Sequence, residues 1–99
     1  MLNVEKAVNG THAVFKLEGR LDTVTAPQLE QELQASLEGI SELTLDFEKL
    51  EYISSAGLRV LLSTEKTMVE RGGMKIIHVS ELISEIFEVT GFSDILTIE

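Results

Sequence analysis

The spacing of apolar residues changes period once in the middle of the chain, and this change constrains the fold more than any other feature. Leu43, Leu45 and Phe47 alternate with Thr44 and Asp46, as in a half-buried strand, whereas Leu58, Leu61, Leu62 and Val69 fall on one face of a helix. Ser54-Ser55-Ala56-Gly57 lies between the two periods. The stretch therefore reads as strand, loop and helix, with hydroxyls at the first helical turn. A helix start carries unpaired N–H groups and the positive end of the dipole. A serine there serves as an N-cap or marks a place where a phosphate is tolerated, and residue type alone favours the cap.

The flanking segments supply the remaining layers. Leu2 to Ala7 and Thr11 to Glu18, separated by Asn9-Gly10, read as a hairpin, with Ala13, Phe15 and Leu17 on the core face of its second strand. Pro27 opens a helix with stripe Leu29, Leu33 and Leu37, for which Thr25 is the expected N-cap and Gly39 the stop. Its other face, Glu30, Gln31, Glu32, Gln34 and Glu38, reads as solvated. Arg71-Gly72-Gly73 ends the central helix, and Met74 to Val79 makes a further strand. Ser80 is placed to cap a third helix bearing Leu82, Ile83, Ile86 and Phe87, and Gly91 to end it. Ile95, Leu96 and Ile98 suggest a short last strand. The expected class is α/β: a mostly parallel sheet with an N-terminal antiparallel hairpin. Alternation in the central strand and right-handed crossovers put the helices mainly on one face.

Ninety-nine residues predict one domain, 1–99, with a modest core. Eight Lys and Arg against seventeen Asp and Glu leave a formal charge of −9, which argues against nucleic acid or an anionic membrane as partner. The start, Met1-Leu2-Asn3-Val4-Glu5-Lys6, lacks the pattern of a signal peptide, and the expected location is cytoplasmic. There is no cysteine, no Gly-x-Ser-x-Gly elbow and no phosphate loop ending in Lys-Ser or Lys-Thr. His12 and His78 stand isolated in strand-like segments, without an i, i+4 partner for a metal. No metal, cofactor or catalytic group is expected. Asp22 follows the second strand and Asp46 is expected to end the third, which brings both to the sheet edge shared with Ser54-Ser55. Taken singly, Asp22 reads as a turn cap and Asp46 as a solvent-side strand residue.

The string Leu45-Asp46 through Tyr52 to Ser55-Ala56-Gly57-Leu58 resembles the signature of the anti-sigma-factor antagonists, the small members of the STAS family. Leu17-Glu18-Gly19-Arg20-Leu21-Asp22, the Gly72-Gly73 break before Met74 to Ile77, and the helix before Gly91-Phe92 follow the family order, so the resemblance covers nearly the whole chain. It implies a STAS fold, with Ser55 at the phosphoryl-acceptor position. The family often has Asp where this chain has Ser54, which makes Ser54 a rival acceptor, and often a second hydroxyl where it has Ala56. The resemblance further implies that Asp22 and Asp46 lie near the phosphoserine region. Thr23, Ser54, Ala56, Gly57 and Leu58 complete the surface expected to shape the site and bind the partner.

By the same resemblance the unphosphorylated protein binds an anti-sigma factor that is also a serine kinase of the histidine-kinase-like ATPase type. Phosphorylation releases it, and a metal-dependent serine phosphatase restores it. The chain is then substrate and ligand rather than enzyme. A non-switching STAS scaffold or transport-complex module, and a small nucleotide-binding protein or enzyme, are the alternatives.

Overall fold

A computed structural model describes residues 2–99. The elements are β1 (Leu2–Asn9), β2 (His12–Leu21), α1 (Ala26–Ser36), β3 (Glu42–Ile53), α2 (Ser55–Val69), β4 (Met74–Ile77) and α3 (Glu81–Thr90), followed by a 3₁₀ turn at Phe92–Asp94. The sheet order is β1-β2-β3-β4, with β1 and β2 antiparallel and the other pairs parallel. The hairpin is short because Asn9 pairs with His12, leaving Gly10 and Thr11 as its loop. Gly10 takes φ +65° at the first loop position, a backbone that side-chain-bearing residues rarely adopt.

Each parallel strand is laid beyond the last, so right-handed crossovers bring successive helices to the same sheet face. That face carries Ala13, Phe15 and Leu17 from β2, Leu43, Leu45 and Phe47 from β3, and Met74 and Ile76 from β4, all buried. Leu29 and Leu33 of α1, Leu58, Leu61 and Met68 of α2, and Ile83 and Phe87 of α3 close over it. The rings of Phe47 and Phe87 meet at a centroid distance of 6.4 Å. The opposite face carries the polar half of the alternation: Lys16 and Glu18 are exposed, while Thr44 and Asp46 are buried. His12 hydrogen-bonds Thr44 Oγ1 at 2.9 Å on that side.

Four expectations need correction. Thr25 does not cap α1 with its side chain, because its hydroxyl donates to Arg20 O at 2.8 Å instead. Val69 is 69 % exposed and Leu62 only half-buried, because the inward face of α2 runs through Leu58, Leu61, Thr64 and Met68. Thr64 is tolerated there because its hydroxyl donates to Val60 O within the helix. No strand forms at Ile95 to Ile98, so the third strand-helix unit stays open. The 3₁₀ turn consumes Phe92–Asp94, leaving one parallel bridge between Ile76 and Ile98.

The fourth correction bears on the site. β3 does not end at Asp46 but continues seven residues to Ile53, roughly 23 Å at the usual strand rise. Register shifts opposite Lys16/Glu18 and Gly19/Arg20 insert extra residues into β3, so its buried positions step from Phe47 to Leu50 to Ile53.

Candidate functional site

The parallel strands β2 and β3 finish together. Arg20 pairs with Tyr52 and Leu21 with Ile53, and Ser54 N–H donates to Leu21 O at 2.9 Å. The two following loops therefore leave the sheet side by side. In the first, Val24 and Thr25 N–H both donate to Asp22 Oδ1 at 3.0 Å, and Ala26 N–H donates to Asp22 O at 2.8 Å. Asp22 thus does the work at the start of α1 that Thr25 was expected to do. The Thr25 N–H holds the Asp22 carboxyl below the usual carboxylate range, with help from the Thr25 hydroxyl and Val24 N–H against a smaller effect of burial.

In the second loop Ser54 is extended, at φ −100° and ψ 176°, and its Oγ accepts from Gly57 N–H at 3.4 Å. That is the geometry of an N-cap. Ser55 is the first residue of α2 and is exposed, while Ala56 is half-buried. Gly57 is needed for close approach: a Cβ there would lie 2.7 Å from Leu21 Cγ and 2.9 Å from Ile53 Cγ1. It lets the first turn of α2 sit directly on the ends of both strands. Leu58 is 7 % exposed and belongs to the core.

Two residues join the site that the sequence reading did not single out. The Arg20 guanidinium lies 4.5 Å from the centroid of the Tyr52 ring and its Nε 3.9 Å from Asp22 Oδ2. A cation is therefore held at the strand ends beside the Asp22 loop. Arg20 was legible only as part of a turn, since its partner Tyr52 lies 32 positions on and meets it only through the β2/β3 register.

The structure brings Asp22, Thr23, Ser54, Ser55, Ala56 and Gly57 to one end of the sheet and leaves Asp46 out. Asp46 sits mid-strand, where its Oδ1 accepts from Glu48 N–H at 2.9 Å and meets His78 Nδ1 at 2.9 Å. His78 is therefore not isolated. It follows β4 with φ +59°, which turns its ring back over β3. Burial works to raise the Asp46 carboxyl, but the Glu48 N–H, His78 and nearby Lys16 together hold it below its usual range. The hydrogen bond and charge of Asp46 raise His78 in turn. Asp46, Glu48 and His78 offer ligand atoms within 4.8 Å of one another, the one group among the described residues that could hold a metal. The Asp46 Oδ1 is shared between the His78 ring and the Glu48 N–H.

A family model described as "Mlab, STAS domain" matches residues 4–97. The chain belongs to the STAS-domain family of anti-sigma factor antagonists. The STAS domain is 30 % identical over 98 residues to the anti-sigma-B factor antagonist of Bacillus subtilis, covering 98 % of this chain and 90 % of that one. Among solved structures it is similar to an anti-sigma factor antagonist from Mycobacterium paratuberculosis, with TM-score 0.89 at 22 % identity, covering 99 % of this chain and 85 % of that one. It is also similar to the Bacillus cell fate determinant SpoIIAA in its phosphorylated form, with TM-score 0.74 at 18 % identity, covering 100 % and 91 %. At these identities the two structures speak for the STAS fold alone.

Proposed function

We propose that this chain acts as a single STAS domain that binds an anti-sigma factor and is released from it by phosphorylation of Ser55. The observation that carries this reading is the division of labour between two adjacent serines. Ser54 Oγ is occupied in capping α2, whereas Ser55 is exposed on the first turn. The rival acceptor is thus engaged, and among the described residues the Ser55 side chain makes no hydrogen bond that phosphoryl transfer must break. Phosphate at a helix N-terminus is accommodated by the dipole and free N–H groups, so the fold survives. Kinship with anti-sigma factor antagonists supports the same reading.

The partner in this reading is an anti-sigma factor with serine kinase activity, a metal-dependent serine phosphatase resets the switch, and both meet the chain in the cytoplasm. Asp22, Thr23, Ser54, Ala56 and Gly57 frame the docking surface around Ser55. Asp46 and Leu58 act behind it, through the sheet and the core. Phosphorylation adds roughly −1.5 to −2 charges. Against a partner carboxylate about 6 Å away, one such charge disfavours binding by about 3 kcal/mol at an effective dielectric near 20, roughly a hundredfold in affinity.

The test is phosphorylation by the cognate kinase followed by peptide mass spectrometry, with calorimetric titration of the variants. Ser55→Ala is expected to bind and to resist phosphorylation, and Ser55→Asp to bind about a hundredfold more weakly. Undiminished phosphorylation of Ser55→Ala moves the acceptor elsewhere. Equal affinity of wild type, Ser55→Asp and phosphorylated protein replaces the switch with a permanent scaffold.

A further inference from the structure

Helix α3 carries more apolar surface than the core covers. Ile83 and Phe87 point into the core, fully buried, with Phe87 against Phe47. Leu82, Ile86 and Val89 form a second stripe at i, i+4 and i+7, alongside the first. Leu82 is 52 % exposed and Val89 87 %, and Ile86 between them is half-buried. These three, with Glu85 and Thr90, line a shallow groove. Thr90 adds little polarity to it, because its hydroxyl donates to Ile86 O at 2.7 Å within the helix.

The charges on α3 itself are of one sign, and Glu85 lines the groove. Glu81, Glu85 and Glu88 are all exposed on α3, which carries no Lys or Arg. The stripe spans about 10 Å, two turns of helix, the footprint of an opposing amphipathic helix. A second copy of this chain is a poor occupant, since pairing α3 with itself sets three carboxylates of each copy against three of the other. The geometry points to a docking groove on α3, separate from the Ser55 surface, for an amphipathic helix of another protein whose apolar stripe is flanked by Lys or Arg. The apolar contacts supply affinity, and the acidic border selects a basic partner and fixes its direction.

The probe is a synthetic peptide of about 18 residues with Leu at helical i, i+3 and i+4 spacing and Lys on both flanks. Two controls accompany it: a scrambled peptide of the same composition, and a peptide with Glu in place of Lys. Fluorescence anisotropy is expected to show binding of the Lys peptide at least tenfold tighter than either control. Leu82→Ser/Val89→Ser, both at exposed positions, is expected to weaken it at least tenfold, as is Glu85→Lys/Glu88→Lys. Glu30→Lys/Glu32→Lys on α1 and Ser55→Asp should leave it unchanged, which separates this groove from the phosphorylation surface. Circular dichroism checks that each variant is folded. Equal binding of the scrambled peptide, an unaffected Leu82→Ser/Val89→Ser variant, or loss of binding in the α1 variant would overturn the proposal. So would sedimentation showing wild type self-associating through the stripe while Leu82→Ser/Val89→Ser stays monomeric.

Discussion

At Gly57 the general preference of helices for alanine is reversed by packing. Gly to Ala in a helix normally gains about 0.5 to 1 kcal/mol. Here the new methyl meets Leu21 Cγ and Ile53 Cγ1 below 3 Å, and overpacking typically costs about 1 to 3 kcal/mol. Gly57→Ala is expected to lower the urea midpoint at unchanged slope. The two serines beside it also divide: Ser54→Ala removes a cap and costs about 1 kcal/mol, while Ser55→Ala stays within about 0.5 kcal/mol of wild type. His78 and Asp46 give a pH signature. His78 is raised by Asp46, so its contribution is complete below the unfolded imidazole value of about 6.5 and fades as pH rises through the higher folded value. Asp46 is lowered, so its contribution is present above its unfolded value and lost as pH falls through the folded one. Denaturation midpoints of His78→Asn, which tolerates the left-handed backbone, should lack the decline expected of wild type as pH rises from about 6.5 through the raised folded value of His78. The Ser54 cap and the Asp22 turn were legible because neighbours within four positions decide their geometry, whereas the close approach at Gly57 depends on Leu21, 36 positions away. The His78–Asp46 pair spans 32 positions and depends on the β3/β4 register, which no local pattern encodes.

Strand β3 shows what residue periodicity misses at the scale of an element. The alternation Leu43, Leu45, Phe47 gives way to Leu50 and Ile53, which follow at steps of three. Steps of three are the trace of bulges, where an added residue keeps the next apolar side chain on the core face. Reading them as a loop shortened β3 and wrongly drew Asp46 to the strand end. In α2 the inward face was drawn too wide for a similar reason: Val69 is adjacent to Met68 in sequence but rotated about 100° from it. Leu58, at 7 % exposure, is a core residue much like Leu61 at 0 %. Leu58→Ala and Leu61→Ala are both expected to cost about 2 to 5 kcal/mol, measured by denaturant titration, with Leu58→Ala toward the lower end. The burial of Leu58 agrees with its place on the apolar face of the helix.

Over the whole molecule, the order of elements and the one-sided helix layer followed from hydrophobic period and crossover handedness, and the sheet order agrees. Only the closing strand did not form. Among the described residues no helix is long and apolar enough to cross a membrane. The charge of −9 belongs to the molecule rather than to any residue, and it predicts that association with a basic partner surface slows as salt rises from about 0.05 to 0.5 M. Stopped-flow association rates measure this. The two margins of the sheet are unequal. On the β4 side the strand has four residues, and Ile76 spends its outward N–H on Thr97 O while its carbonyl accepts from Glu99 N–H. On the β1 side eight residues run with no strand beyond them. An extended segment seeking backbone partners thus has a ladder to climb at one margin and a stub at the other. Growth by strand addition has a single direction, and it leads away from α3, the last helix, which follows β4.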